Sequence, residues 1–203
     1  MKILFIGNSR LGDAILSTSI LDYFNKKEDS DITVVCSSLS EDVYKSFCNV
    51  KKLIIVNKKK RGMHWIDVYA SLDRQVWDLV VDLRNTIISR IVRKKRVFRY
   101  NNNNSHEHRV ESLCKLIKIK KKLAPRIPHD EQTEEKANLL KKKYKLKSPI
   151  IAIAPVTNWK RKNWPVDNFA LLINKLVEDS PKSKIDIRTV IILGSENEKN
   201  ECE

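Results

Sequence analysis

Glycine is scarce in this chain, with four in 203 residues, and so are the features that would place it in several familiar classes. With glycines only at 7, 12, 62 and 194, a three-glycine GxGxxG dinucleotide fingerprint cannot be assembled at the first turn, where Gly7 and Gly12 stand alone. Four cysteines, Cys36, Cys48, Cys114 and Cys202, lie far apart, with no CxxC pair and no histidine at zinc-ligand spacing. That pattern predicts isolated thiols and no metal site. No apolar run approaches the roughly 18 residues of a membrane-spanning helix. The N-terminus, one lysine before a short apolar run, is too brief for a signal peptide, so a cytoplasmic protein is expected. Aromatics make up 7% of residues and do not interleave with the basic runs, which argues against base-stacking platforms.

What the chain has in excess is positive charge. Forty Lys and Arg against 25 Asp and Glu give a net charge of +15, concentrated in runs at 58–61, 93–96, 120–122 and 141–143. Such a surface attracts nucleic acid, an anionic membrane or a phosphorylated substrate. AT-rich coding also yields a composition rich in Lys, Ile and Asn and poor in Gly, so the surplus alone does not choose among these partners.

Apolar patterning alternates strand and helix almost from end to end. Strand-like runs fall at 3–6, 32–36, 52–56, 79–81, 97–100, 150–154 and 190–193. Helical periodicity falls at 13–27, 40–47, 65–74, 86–92, 106–119, 133–144 and 166–177. Strands separated by ten to fifteen residues of helical pattern predict βαβ units and a parallel sheet, an α/β fold of Rossmann-like type. Residues 101–106 read as a loop. The charged segment 141–149, ending in Pro149, is the expected linker between an N-terminal domain of residues 1–145 and a second domain of 148–203. That second domain begins with one strand–helix–strand unit, and the sequence stops where its next helix is due. A domain of this kind needs on the order of 100–150 residues, so a truncated C-terminal domain is expected.

The opening MKILFIGNSRLGDAIL carries the strongest single signal: a buried strand, a polar turn and a helix start. In open α/β sheets the crevice at the carboxyl ends of the strands is the default binding site, and helix-start N–H groups there favour an anion. Asp13 sits in that crevice. It reads either as a general base or as a helix cap, since Asp is a preferred capping residue.

Five segments in order resemble the ADP-heptose:lipopolysaccharide heptosyltransferases, the family-nine glycosyltransferases with two facing Rossmann-like domains (the GT-B fold). Ser9-Arg10-Leu11-Gly12-Asp13 resembles the family's S-x-L/M-G-D opening, and residues 77–85 (WDLVVDLRN) its D-L-V-I-D-L-Q-G strand. His108-Arg109-Val110-Glu111 resembles its H-x-V-E helix start. Residues 153–157 (IAPVT) with 162–165 (KNWP) and Phe169 resemble its N-P-G-A-S … K-R-W-P … F segment, and Leu193-Gly194-Ser195-Glu196 its G-G-P/A-E turn. The departures are Gly7, where the family usually has Arg or Lys, Arg84-Asn85 in place of Gln-Gly, and the family's late D-T-G-x-x-H segment, which is absent.

The resemblance implies an inverting transfer of a heptose or related sugar, with Asp13 as the base. Ser9, Gly12, Arg84 and His108 would lie on the acceptor and phosphate side, and Thr157, Lys162 and Glu196 on the donor side. It implies no cofactor and no metal, with a nucleotide sugar such as ADP-heptose as donor. The acceptor would be lipid A–Kdo or another lipopolysaccharide, reached from the cytoplasmic face of the inner membrane by a peripheral protein. Donor binding by this chain would be weak without the late segment, and the truncated chain would show little or no transfer. Plainer readings stand beside several of these. Lys162 belongs to a basic run, Glu196 resembles an ordinary loop acid, Trp164 a packing anchor, and His64, His106 and His129 surface residues. Arg93 and Arg96, like Arg84, could meet acceptor phosphates or lie on a solvated face. The alternative function is a basic nucleic-acid-binding protein without enzymatic activity; it explains the charge but none of the five segments.

Overall fold

A computed structural model describes residues 1–57, 60–101, 107–157, 160–178 and 187–202. The run Lys58-Lys59 and nearly all of the 101–106 loop, His106 included, lie outside the described residues. The chain divides into two compact units, Met1–Asp130 and Glu131–Glu203.

In the first unit, five strands form one parallel sheet: β1 (Lys2–Ile6), β2 (Asp31–Cys36), β3 (Val50–Ile55), β4 (Leu79–Asp82) and β5 (Val97–Arg99). Their order is β3-β2-β1-β4-β5, with Ile3 opposite both Ile32 and Leu79. The central strand β1 is buried on both faces, as a sheet covered by helices on each side requires. Ile3 and Phe5 join a core with Ala14, Ile20, Leu21 and Phe24 of α1 (Leu11–Asn25), Tyr44 of α2 (Glu41–Lys45) and Leu113 of α5 (Arg109–Leu116). Leu4 and Ile6 point the other way, toward Val68 of α3 (His64–Ser71), Ile88 of α4 (Ile88–Ile91) and Trp77. Period-two alternation along a single strand therefore feeds two cores. Each buried Val, Leu, Ile or Phe among these contributes about 1.5–3 kcal/mol of transfer free energy.

The scarcity of glycine leaves a mark at the helix ends. At the end of α5 the N–H of Lys118 donates to the Lys115 carbonyl (3.0 Å) and that of Ile119 to the Cys114 carbonyl (2.9 Å), with Lys118 at φ 59°. After α6 (Glu131–Lys143) the same pair of bonds recurs, Lys145 to Lys142 (3.1 Å) and Leu146 to Lys141 (2.9 Å), with Lys145 at φ 51°. These are Schellman closures in which lysine occupies the left-handed position that glycine fills most easily.

The second unit holds α6, β6 (Ile150–Ile153), α7 (Val166–Glu178), β7 (Thr189–Ile192) and a four-residue α8 (Lys199–Cys202). β6 and β7 pair in parallel as a two-stranded sheet, Ile150 opposite Thr189. Neither α6 nor α7 buries a residue. Lys141, Lys142 and Lys143, expected in a linker, instead form the last turn of α6, and the division between units falls at Asp130 rather than near 145. The helix due after β7 is represented by α8, whose Cys202 Sγ lies 2.6 Å from where a side chain on Gly194 would begin. A side chain at 194 would therefore displace the Cys202 thiol.

Candidate functional site

Strand order reverses at β1, whose neighbours β2 and β4 lead away in opposite directions; this makes the carboxyl ends of β1 and β4 the switch point of the sheet. Two turns meet there. Residues 7–10 leave β1, and the Gly7 N–H donates to the Val35 carbonyl (2.9 Å). Residues 83–87 leave β4, and the Leu83 N–H donates to the Ile6 carbonyl (3.0 Å).

The first turn places Asp13. The residue preceding α1 is Arg10, in extended conformation, and no side chain caps the helix. Asp13 is the third helical residue, part-buried, in the first turn where the helix field favours a carboxylate. The capping alternative is therefore not the one adopted. Gly12, one residue before, is exposed, and a side chain there would meet nothing within 4 Å. Packing does not demand a glycine at 12, so the open space beside Asp13 is available to a ligand. Gly7 is the opposite case: a Cβ there would lie 2.5 Å from the Tyr44 hydroxyl. That buried hydroxyl shares a hydrogen bond with Ser17 Oγ (3.0 Å) and accepts one from the Asn8 backbone. Burial, tempered by the Ser17 bond, pushes the Tyr44 phenol up to about 12. The Asn8 side chain donates to the Asp13 carbonyl (3.4 Å), and Ser37 Oγ donates to the Ser9 carbonyl (2.9 Å). Tyr44, Asn8 and Ser37 thus fix the turn that carries Ser9, Gly12 and Asp13.

The second turn is organised by Asp82, fully buried at the end of β4. Its carboxylate accepts from the backbone N–H groups of Arg84 (3.0 Å) and Thr86 (2.6 Å) and from Thr86 Oγ1 (2.9 Å). Asn85 sits at φ 52°, a conformation asparagine tolerates better than most residues, which accounts for Asn where the resembling family has Gly. Arg84 is half-buried, its guanidinium 4.9 Å from the ring of Trp65 at the start of α3. Burial pulls its pKa down and the neighbouring Asp82 pulls it up. An Arg held over an indole is a pre-oriented anion donor.

His108 immediately precedes α5, exposed, and makes no side-chain cap bond. Arg93 and Arg96 fall elsewhere. They precede β5, and the Arg96 carbonyl accepts from Val80, so both lie at the amino edge of the sheet, opposite Arg84. The acceptor-phosphate alternative for these two is thereby separated from the switch point.

In the second unit, Thr157 follows β6, and Lys162 ends a short turn at Lys160–Lys162 ahead of α7. Both the Thr157 N–H (2.9 Å) and its hydroxyl (2.7 Å) donate to Asn163 Oδ1, so the hydroxyl must exchange that partner to serve a ligand. Trp164 is 47% exposed and meets Phe169 edge-on at 5.0 Å, as a packing anchor does. After β7, Ser195 and Glu198 form a reciprocal capping box, the Glu198 carboxylate accepting from the Ser195 N–H (2.8 Å) and hydroxyl (2.7 Å). Because Glu198 takes the capping role, the exposed Glu196 is left available.

Sequence reasoning missed Tyr44, Asp82 and Trp65. Only Asp82 stood in a quoted segment; Tyr44 and Trp65 reach the site through contacts distant in sequence. His64, expected on the surface, is half-buried with its ring 4.9 Å from that of Trp65. Among the described residues no group of three or more His, Cys, Asp or Glu is arranged to hold a metal, and no helix is long and apolar enough to cross a membrane.

A family model described as glycosyltransferase family 9 (heptosyltransferase) matches residues 65–202. Comparison with curated protein sequences gives no significant match. Among solved structures, the glycosyl transferase family 9 protein of Veillonella parvula DSM 2008 aligns with 99% of this chain at TM-score 0.70 and 17% identity. The ADP-heptose lps heptosyltransferase II of E. coli aligns with 98% at TM-score 0.68 and 17% identity. The E. coli heptosyltransferase WaaC solved with ADP-2-deoxy-2-fluoro heptose aligns with 98% at TM-score 0.64 and 15% identity. At such identities the likeness is one of fold. The chain spans 64%, 66% and 71% of the lengths of these three proteins.

Proposed function

Because the chain belongs to glycosyltransferase family 9, we propose that it acts as a heptosyltransferase-type enzyme, moving a heptose or related sugar from a nucleotide-sugar donor to a lipopolysaccharide acceptor. The donor we assign is ADP-heptose and the acceptor lipid A–Kdo or a related core. The protein would work at the cytoplasmic face of the inner membrane, as a peripheral protein on anionic lipid.

The observation that carries this reading is Asp13. Its carboxylate stands in the first turn of α1 beside open space at Gly12, with no hydrogen bond or ion pair engaging it among the described residues. In the proposed step, an Asp13 oxygen takes the proton of the acceptor hydroxyl as that oxygen attacks the anomeric carbon. The bond from that carbon to the nucleotide diphosphate breaks, the diphosphate leaves with the electron pair, and configuration inverts. Lys162 stabilises the charge developing on the diphosphate, Thr157 and Glu196 hold the donor, and Arg84 with His108 receives anionic groups of the acceptor. A basic nucleic-acid-binding role has only the charge in its favour, and the family match does not support it.

Incubating the protein with ADP-heptose and a heptose-deficient lipopolysaccharide tests the reading. A heptose-extended product with stoichiometric ADP supports it; ADP-heptose hydrolysed with no sugar on the acceptor contradicts it.

A further inference from the structure

We propose that a lysine-rimmed hollow at the end of α5 is a contact surface for the phosphate headgroups of an anionic lipid bilayer. Beyond Leu116 the chain turns through Lys118 and returns alongside the helix to Arg126, whose N–H donates to Thr18 Oγ1 of α1 (3.0 Å). Between helix end and returning chain lies a hollow of about 760 Å³. Its floor is Cys114 and Ile119, and its rim is Lys115, Lys118, Lys120, Lys121 and Lys122, all five exposed.

The charge there is not balanced locally. Glu107 pairs with Lys115, and Glu111 with Lys122 (2.5 Å); in each pair the lysine's hydrogen bond lowers the carboxyl pKa and the carboxylate raises that of the lysine. Both nearby acids are thus spoken for. Lys118, Lys120 and Lys121 have no acidic partner among the described residues.

The shape favours lipid over other polyanions. A second hollow of about 400 Å³ adjoins the first, sharing Glu111 and Lys122, and continues over His108, Val110, Leu123, Ala124 and Pro125. An open basic rim beside a shallow apolar trough suits headgroup phosphates with acyl chains beneath them. No Phe, Tyr or Trp lines either hollow and His108 is the single ring there, so successive bases have no row of platforms on which to stack. The lysines are exposed point charges rather than converging buried donors, which a discrete phosphate pocket would need.

The lysine rim lies outside the proposed site residues, with only His108 of the acceptor side lining the adjoining hollow; the inference deepens the proposed function, resting on it only for the idea that a membrane-borne acceptor brings the protein to lipid. Vesicle binding is read without donor or acceptor, so the two readings fail separately. The test is co-sedimentation of the whole chain with phosphatidylglycerol–phosphatidylcholine vesicles and with pure phosphatidylcholine vesicles. The variants are Lys118→Gln/Lys120→Gln/Lys121→Gln and, removing the same charge from α6, Lys141→Gln/Lys142→Gln/Lys143→Gln. A second variant of the hollow, Lys120→Glu/Lys121→Glu, spares Lys118 and the closure of α5, and circular dichroism checks that each protein is folded.

Expected is binding that requires phosphatidylglycerol. At about fivefold per lysine near an anionic surface, the first triple variant weakens it roughly 100-fold. The charge-reversal pair acts in the same direction and the α6 variant changes little. Equal losses in both triple variants, binding indifferent to phosphatidylglycerol, or loss of duplex DNA binding in place of vesicle binding would each overturn the proposal.

Discussion

The two units are written in one style, strand, polar turn, helix, yet they pack very differently. In the first, β1 presents Ile3, Leu4, Phe5 and Ile6 to helices on both faces, and all four are fully buried. In the second, the equivalent strand β6 is at best half-buried, and α7 leaves Leu171 67% and Val166 61% exposed. Hydrophobic periodicity is sufficient to set where strands and helices form. Burial needs a second layer on each face, which five strands with flanking helices supply and two strands do not. The turn that carries Asp13 and the turn that carries Arg84 therefore rest on a rigid core, while Thr157, Lys162 and Glu196 stand on a thinly packed frame.

The largest effects should come from cutting into the packed unit. Phe5→Ala removes a fully buried ring and should cost about 3–5 kcal/mol in urea unfolding, whereas Leu171→Ala should stay within about 0.5 kcal/mol. Comparable costs would erase the contrast between the units.

Within the first unit, the two glycines of the opening turn should separate. Gly7→Ala drives a methyl into the Tyr44 hydroxyl and should cost about 1–3 kcal/mol, in part recovered when Tyr44→Phe is added. Gly12→Ala meets nothing and should be neutral or stabilising by up to about 1 kcal/mol. A destabilised Gly12→Ala would mean that packing, not ligand access, keeps glycine there.

Alkaline titration probes the same turn. Burial raises the Tyr44 phenol from 10.0 to about 12 and the Cys36 thiol from 9.0 to about 11. Both groups are held neutral in the fold, so the unfolded chain loses its protons first. Their contribution is intact below pH 9 and is lost as pH rises from about 9 to 12. Tyr44→Phe should flatten the upper part of that decline in denaturant midpoints.

Smallest are the helix ends. Lys118→Gly and Lys145→Gly relieve left-handed backbone and should each stabilise by about 0.5–1 kcal/mol in thermal or denaturant melts. A loss of stability at either would show that the lysine side chain contributes more than its backbone costs.

How much was legible beforehand follows the same division. Each of β1 to β7 lies within a residue or two of an apolar run, because a buried strand needs little more than that run. The boundary between units was less legible, since 141–143 looks like a linker by charge yet continues the helical turn of α6. Asp13's place after an uncapped Arg10 was half legible: the turn was visible, the choice between base and cap was not. Tyr44 under Gly7 and Trp65 under Arg84 were not legible at all, because residues distant in sequence meet only once the sheet has formed.

The most direct test of the account compares Asp13→Asn with the wild-type chain, measuring heptose transfer from ADP-heptose and, separately, ADP affinity by calorimetry. The amide keeps the shape but cannot take a proton, and with no cap bond to lose it should fold normally. The account predicts a fall in transfer of about 100-fold or more with ADP affinity unchanged. A variant that keeps most of the wild-type rate would contradict it and return Asp13 to an ordinary first-turn acid.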